Sequence, residues 1–170
     1  MRLAIIGNSG SGKSTLARWF SAARGAPCLD LDTIAWEQEL VPRDPKLARA
    51  DVAAFCDSSE HWVVEGCYAG LIEVALARRP RLVFLNLGVE QCVANCLARP
   101  WESHKYASRA EQDERLAYLL AWVREYSTRD DELSMRAHRK LFDEYEGAKL
   151  EILEPPALGA AWMEQVVESD

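Results

Sequence analysis

The chain carries its densest chemistry near its start. Gly7-Asn8-Ser9-Gly10-Ser11-Gly12-Lys13-Ser14 satisfies GxxxxGK followed by Ser or Thr, and Thr15 comes next. Glycines let such a loop curl until successive N–H groups point inward, and a helix opening at Lys13 adds partial positive charge. The combination cradles phosphates. Lys13 is placed to reach the β- and γ-phosphates of a nucleoside triphosphate, and the Ser14 hydroxyl to coordinate Mg²⁺. ATP and Mg²⁺ are therefore the expected ligands, while the loop itself does not distinguish ATP from GTP.

Two acidic clusters follow. In Asp30-Leu31-Asp32, residues two apart on an extended segment share a side, so both carboxylates could face the γ-phosphate. One could hold Mg²⁺, directly or through water, and the other could accept the proton of an attacking hydroxyl, with Asp32 the firmer choice for both. A pair of solvated turn aspartates is the alternative. Trp62-Val63-Val64-Glu65-Gly66 has the form of a Walker B strand with Glu in place of Asp. Glu65 would anchor the metal's water shell and Gly66 would permit a sharp exit. The expected metal set is Ser14, Asp32 and Glu65. The expected acceptor set is Asp30, Asp32, Trp36, Gly66 and Tyr68.

Cations gather later. Arg99, His104, Lys105 and Arg109 bracket one irregular segment, and Arg115, Arg124 and Arg129 follow it. Closure of that segment could bring one or two of them onto a transferring phosphoryl group. His104 and His138 read more simply as packing or capping residues. Trp36 and Trp101 could stack on a planar ligand or pin a flap to the core. Cys92 and Cys96 are four apart and could bind a metal with His104, although paired small core residues explain the spacing as well.

The elements that must position these groups alternate. Strands are expected over 3–6, 27–30, 62–65, 82–87 and 149–153, each continuous enough to be buried on both faces of a parallel sheet. Helices are expected over 13–24, 45–58, 70–79, 89–98, 110–126, 130–145 and 157–168. This is the βαβ pattern of an α/β fold with right-handed crossovers. Two stretches interrupt it, 31–44 and 99–109, both at the sheet edge where open α/β folds bind ligands. Leu116, Leu119, Leu120, Val123 and Tyr126 form the core stripe of the long helix between them and the chain's end.

Composition bounds the reading. A chain of 170 residues with 49% hydrophobic and 28% charged residues suits one globular domain, 1–170. The net charge of −7 argues against nucleic acid as a partner and for a small anionic ligand. The apolar run Leu3 to Ile6 is far too short for a leader or membrane span, so a cytoplasmic protein is expected. Cys28, Cys56, Cys67, Cys92 and Cys96 are odd in number and include no CxxC, as suits reduced thiols.

The run GNSGSGKST, then LDLD with Trp36, then WVVEGCY resembles the adenylate-kinase-related P-loop proteins labelled topology modulation proteins. The similarity continues through Arg99-Pro100-Trp101-Glu102-Ser103-His104-Lys105-Tyr106 and Trp122-Val123-Arg124-Glu125-Tyr126 to His138 and Phe142. It implies a three-layer, nucleoside-monophosphate-kinase-like P-loop fold, a five-stranded parallel sheet in order 2-3-1-4-5, an acceptor-binding segment at 31–60 and a short lid at 99–115. It also implies that Arg99 stacks on adenine, and that Arg115 or Arg124 contacts the phosphates. With Arg124 taken, the expected catalytic set is Lys13, Asp32, Arg99 and Arg124.

Two departures bear on the acceptor. Adenylate kinases grip the acceptor's phosphate with arginines after the second and third strands, where this chain has Leu31-Asp32-Thr33-Ile34-Ala35-Trp36 and Gly66-Cys67-Tyr68. The Asp-x-Asp pair is instead similar to that of shikimate-kinase-like enzymes, although their glycine triplet is reduced here to Gly66. The expectation is a Mg-ATP-dependent phosphotransferase acting on a small acceptor through a hydroxyl, as a monomer or homodimer. The alternatives are a nucleoside monophosphate kinase and a nucleotide-dependent regulator or DNA-topology-associated ATPase.

Overall fold

The computed structural model describes residues 1–36, 41–99 and 108–156. Its strands are β1 (Arg2–Gly7), β2 (Cys28–Asp30), β3 (Trp62–Gly66), β4 (Arg81–Leu85) and β5 (Lys149–Ile152). The helices are α1 (Lys13–Arg24), α2 (Asp32–Ala35), α3 (Pro45–Asp57), α4 (Ala69–Leu76), α5 (Val89–Leu97), α6 (Arg109–Arg124) and α7 (Met135–Glu144), with a 3₁₀ turn at Glu125–Ser127. The five strands form one sheet in the order β2-β3-β1-β4-β5, all parallel. This is the α/β architecture and strand order that the sequence implied.

Alternation along the strands builds the layers. On β1, Leu3 and Ile5 face a core shared with α1, α5 and α6, while Ala4 and Ile6 face a second core shared with α3, α4 and α7. Phe20 of α1 fills the first and Phe84 of β4 the second, both fully buried. Burial of each such side chain contributes about 1.5–3 kcal/mol.

Two elements differ from expectation. The stretch after β2 begins with the short helix α2, nucleated by the Asp30 carboxylate accepting from the Asp32 N–H at 2.9 Å. The last described helix starts at Met135, not near 130. Asp131 instead closes a turn by accepting from the Leu133 N–H at 2.9 Å, and Ser134 caps α7 by accepting from the Ala137 N–H at 3.1 Å. Local side-chain acceptors here outcompete the helix that the residue pattern allows. The helix expected over 157–168, and Trp101, His104 and Lys105, lie outside the described residues. No described helix is long and apolar enough to cross a membrane.

Parallel pairing brings the strand ends to one edge. Ile6 is in register with Gly66, and Asp30 with Glu65. The glycine-rich loop, the exit from β3 and the start of α2 therefore emerge side by side.

Candidate active site

The loop between β1 and α1 is shaped by its glycines. Gly12 has φ of 93° and Gly10 φ of 82°, values that side chains resist. Gly10 also lies against α5, where an added Cβ would strike the Cys92 carbonyl and the Cys96 sulfur. That contact gives the two cysteines a packing role, since both are buried small residues against which the loop closes. Gly7 is similarly confined, with the Leu85 carbonyl 2.5 Å and the Ser11 hydroxyl 2.9 Å from an added Cβ.

Asn8 is the loop's strut. It is buried, its amide donates to the Val123 carbonyl at 3.1 Å, and its Oδ1 accepts from the Ser9 N–H at 2.9 Å. Its backbone carbonyl accepts from the Lys13 ammonium at 2.9 Å. Lys13 is buried as well. Burial works to lower its pKa, but the neighbouring Cys67 sulfur, Glu65 and Asp32 outweigh that effect and leave it raised, so the ammonium stays charged. The Cys67 thiol, close enough to Lys13 to hydrogen-bond with it, is pushed up by burial.

Glu65 is the penultimate residue of β3 and is 3% exposed. Burial pushes its pKa up, and Asp30 and Asp32 add to this, against the opposing pull of Lys13 and the Ser14 hydroxyl, which donates to its carboxylate. Ser14 and Glu65, two of the three expected metal ligands, are thus in contact. Asp32 is exposed but electrostatically coupled to both Lys13 and Glu65. Among the described residues no three His, Cys, Asp or Glu side chains form a metal cage. Mg²⁺ does not require one, because it keeps several waters and is held by one or two protein oxygens together with phosphates.

Three residues of the expected acceptor set, Asp32, Trp36 and Tyr68, form a chain of their own. The Trp36 indole N–H donates to the Tyr68 hydroxyl at 2.7 Å, and that hydroxyl donates to Asp32 Oδ1 at 2.8 Å. Burial and the Asp32 carboxylate push the Tyr68 pKa up, so it remains a donor. Asp30 turns its carboxylate to the Asp32 backbone and its carbonyl to the Thr33 hydroxyl at 2.6 Å, which orients α2. Gly66 has no left-handed backbone. Its missing Cβ makes room for the buried Leu31 side chain, which would lie 2.7 Å away.

The arginines are dispersed. Arg99 follows α5 and Arg124 ends α6, and both are exposed. Arg124 adjoins Val123, whose carbonyl holds Asn8, whereas Arg115 is drawn along its own helix to Glu111 at 3.2 Å. Arg129 lies over the Trp122 ring at 3.7 Å, donates to the Trp122 carbonyl, and keeps Nε and one terminal nitrogen buried without partners. Ser9 and Thr15 complete the loop, Ser9 half-buried and Thr15 exposed in the first turn of α1.

Three contacts at this edge join residues far apart in sequence. His138 is fully buried, with Nε2 2.6 Å from the Cys67 carbonyl and Nδ1 2.7 Å from the Tyr126 hydroxyl. It braces the segment that carries Tyr68, in keeping with the packing role expected of it. Glu132 accepts from the Gly70 N–H at 2.9 Å and fixes the start of α4. Neither of these contacts, nor the Asn8 strut, has a local sequence signal.

The residues present fit a bound triphosphate. Ser11 Oγ is buried without a hydrogen-bond partner inside the loop, and the first turn of α1 has no acidic residue to neutralise its N–H groups.

Sheet order and glycine loop together define a three-layer P-loop α/β protein. No protein-family model and no curated protein matches the sequence. Solved structures match the fold across nearly the whole chain. A shikimate kinase from Bacteroides thetaiotaomicron has a TM-score of 0.54 at 19% identity, covering 99% of this chain and 94% of its own. A shikimate kinase from Aquifex aeolicus has a TM-score of 0.51 at 20% identity, covering 99% and 92%. A sugar kinase from Janibacter sp. has a TM-score of 0.52 at 14% identity, covering 98% and 90%. At these identities the likeness is one of fold.

Proposed function

We propose that the protein is a Mg-ATP-dependent kinase that moves the γ-phosphoryl group to a hydroxyl of a small acceptor. The observation that carries this reading is the placement of Asp32. Its carboxylate is held by Tyr68 on the acceptor side and is coupled to Lys13 and Glu65 on the phosphate side. Shikimate and sugar kinases among the proteins of similar fold favour the same class of reaction.

In this reaction the glycine loop and the α1 N-terminus hold the phosphates, and Lys13 offsets the charge that develops on them. Ser14, Glu65 and Asp32 would hold Mg²⁺, which supplies further charge neutralisation on the phosphates. Tyr68 donates to one Asp32 oxygen and fixes the carboxylate, so its other oxygen can accept the acceptor's hydroxyl proton. The acceptor oxygen forms the new O–P bond, the bond from the γ-phosphorus to its bridging oxygen breaks, and ADP leaves with that electron pair. Arg99 on the adenine and Arg124 on the phosphates complete the set, with 31–60 as acceptor segment and 99–115 as lid of a single domain.

Motor-type hydrolysis lacks a comparable observation. A nucleoside monophosphate acceptor is disfavoured because the described residues put no arginine after β2 or β3 at the positions that would grip its phosphate. The resemblance to topology modulation proteins, a cytoplasmic location and a monomeric or homodimeric state belong to the same proposal. The test is ADP release from Mg-ATP across a panel of nucleosides, nucleotides, sugars and hydroxy acids. Acceptor-stimulated release supports a kinase, and stimulation by DNA alone, or by nothing, rejects it. Asp32→Asn is expected to lower transfer about a hundredfold while ATP binding is retained. Equal loss of both would remove the proposed role.

A further inference from the structure

Lys13 stands on the phosphate side of Asp32, and the described arginines around the segment that follows are engaged elsewhere. Between Asp30 and Asp44 the sequence has Arg43 as its one basic residue. The Arg43 guanidinium donates to Asp51 at 2.5 Å. Arg49, reaching over from α3, donates to the Gly70 carbonyl at 2.6 Å and stands 3.7 Å from Glu73. Arg129 is fixed to the Trp122 ring and carbonyl, beside the Asn8 strut of the phosphate loop. The carboxylate exposed beside Tyr68 is that of Asp32, with the Asp30 carboxylate next to it accepting from the Asp32 N–H. A carboxylate or phosphate on the acceptor beside Trp36 would meet the like charge of Asp32, and among the described residues Arg43 and Arg49 are already engaged elsewhere.

Trp36 supplies a complementary feature. It is 39% exposed, yet its ring is held in place by the bond from its N–H to Tyr68 and its backbone bridges to Pro42. Among the described residues no cation stands over it. An indole has the most negative ring face of the aromatic side chains, and a fixed one beside a carboxylate attracts an ammonium group with little ordering cost. Tyr68 ties this ring to the carboxylate that takes the proton, so an ammonium on Trp36 and a hydroxyl at Asp32 belong to one small molecule.

We propose that the acceptor is a hydroxylated amine, an amino alcohol or an amino sugar, recognised through its ammonium group by the Trp36 ring held beside the Asp32 carboxylate. The inference rests on the phosphotransfer reading of the same site. The acceptor's hydroxyl loses its proton to Asp32 and gains the phosphoryl group, and the ammonium passes unchanged into the product.

Calorimetric titration of the full chain, loaded with Mg²⁺ and a non-hydrolysable ATP analogue, tests this with matched ligands. One set is glucosamine, glucose and glucuronate, and the other is serinol, glycerol and glycerate. In at least one set the amine is expected to bind about tenfold more tightly than the neutral member, as a cation–π contact beside a carboxylate provides, with the acid weakest. Trp36→Leu should erase that preference and Trp36→Phe should keep part of it. Equal binding within both sets, tighter binding of an acid, or no binding of either amine overturns the inference. ADP release is read separately. An amine bound with the stated preference but never phosphorylated supports the recognition and rejects the kinase reading. Turnover confined to a neutral or acidic acceptor supports the kinase reading and rejects amine recognition.

Discussion

Replacing His138 with glutamine is expected to flatten the acid side of the stability profile, because the wild-type ring is held neutral in a place that cannot accept its charge. The Cys67 carbonyl can only accept, so the proton resides on Nε2, and Nδ1 accepts from the Tyr126 hydroxyl. Both nitrogens are satisfied in the neutral form alone. Burial, with Lys13 and Arg129 adding repulsion, lowers the pKa from 6.5 to about 4. In the unfolded chain the ring protonates near 6.5 and in the folded chain near 4, so between these values unfolding takes up a proton. Stability therefore falls as the pH is lowered through that window. The contribution is whole above about pH 7 and gone below about pH 4, and the drop in pKa makes it about 3 kcal/mol.

Against a total of about 5–15 kcal/mol for an ordinary domain, this is a large share. Denaturant unfolding of wild type and His138→Gln at a series of pH values isolates it, since contributions common to both, such as those of Glu65 and Lys13, cancel in the difference. The wild type should lose about 3 kcal/mol more than the variant between pH 7.5 and 4. The chain has three histidines, so the C2 proton of His138 can also be followed directly by NMR. Parallel profiles for the two proteins, or a His138 midpoint near 6.5 in the folded state, would refute the reasoning.

The remaining expectations concern the loop. Lys13→Ala should lower ADP release about 10²–10³-fold, with the far-UV circular dichroism retained; unchanged release would place the chemistry elsewhere. Asn8→Ala removes the donor to the Val123 carbonyl and should cost about 1–3 kcal/mol in denaturant unfolding, whereas a loss within error would mean the strut is dispensable. Gly10→Ala adds a Cβ at positive φ against the Cys92 carbonyl, so destabilisation above about 1 kcal/mol and weakened nucleotide binding are expected, checked by thermal melting with and without ATP.

How legible each part was depends on the range of the interaction that forms it. The glycine loop, the Asp30-Leu31-Asp32 pair and the Walker-B-like strand are contiguous patterns and the strands are apolar runs, so the α/β alternation was readable, whereas the strand order came from the resemblance to kinase-like P-loop proteins. Helix α2 was not readable, because it is one turn long and Asp30, whose carboxylate accepts from the Asp32 N–H at its start, reads equally well as a ligand. The start of α7 was misplaced because Asp130, Asp131 and Glu132 fit a helical first turn, and only the Asp131 turn and the Ser134 cap decide against it.

Contacts made across the sheet had no local signature at all. Trp36 meets Tyr68 from 32 residues away, His138 meets Cys67 from 71, and Asn8 meets Val123 from 115. Two of these three converge on the end of α6. Asn8 ties that end to the phosphate loop, and Tyr126, through His138, ties it to the segment bearing Tyr68. A displacement of α6 together with the turn that follows it therefore strains both sets of hydrogen bonds at once. The sequence offers candidates for the groups that would touch a substrate, but the hydrogen bonds that tie the glycine loop and the Tyr68 segment to the end of α6 exist only once the sheet has brought them together.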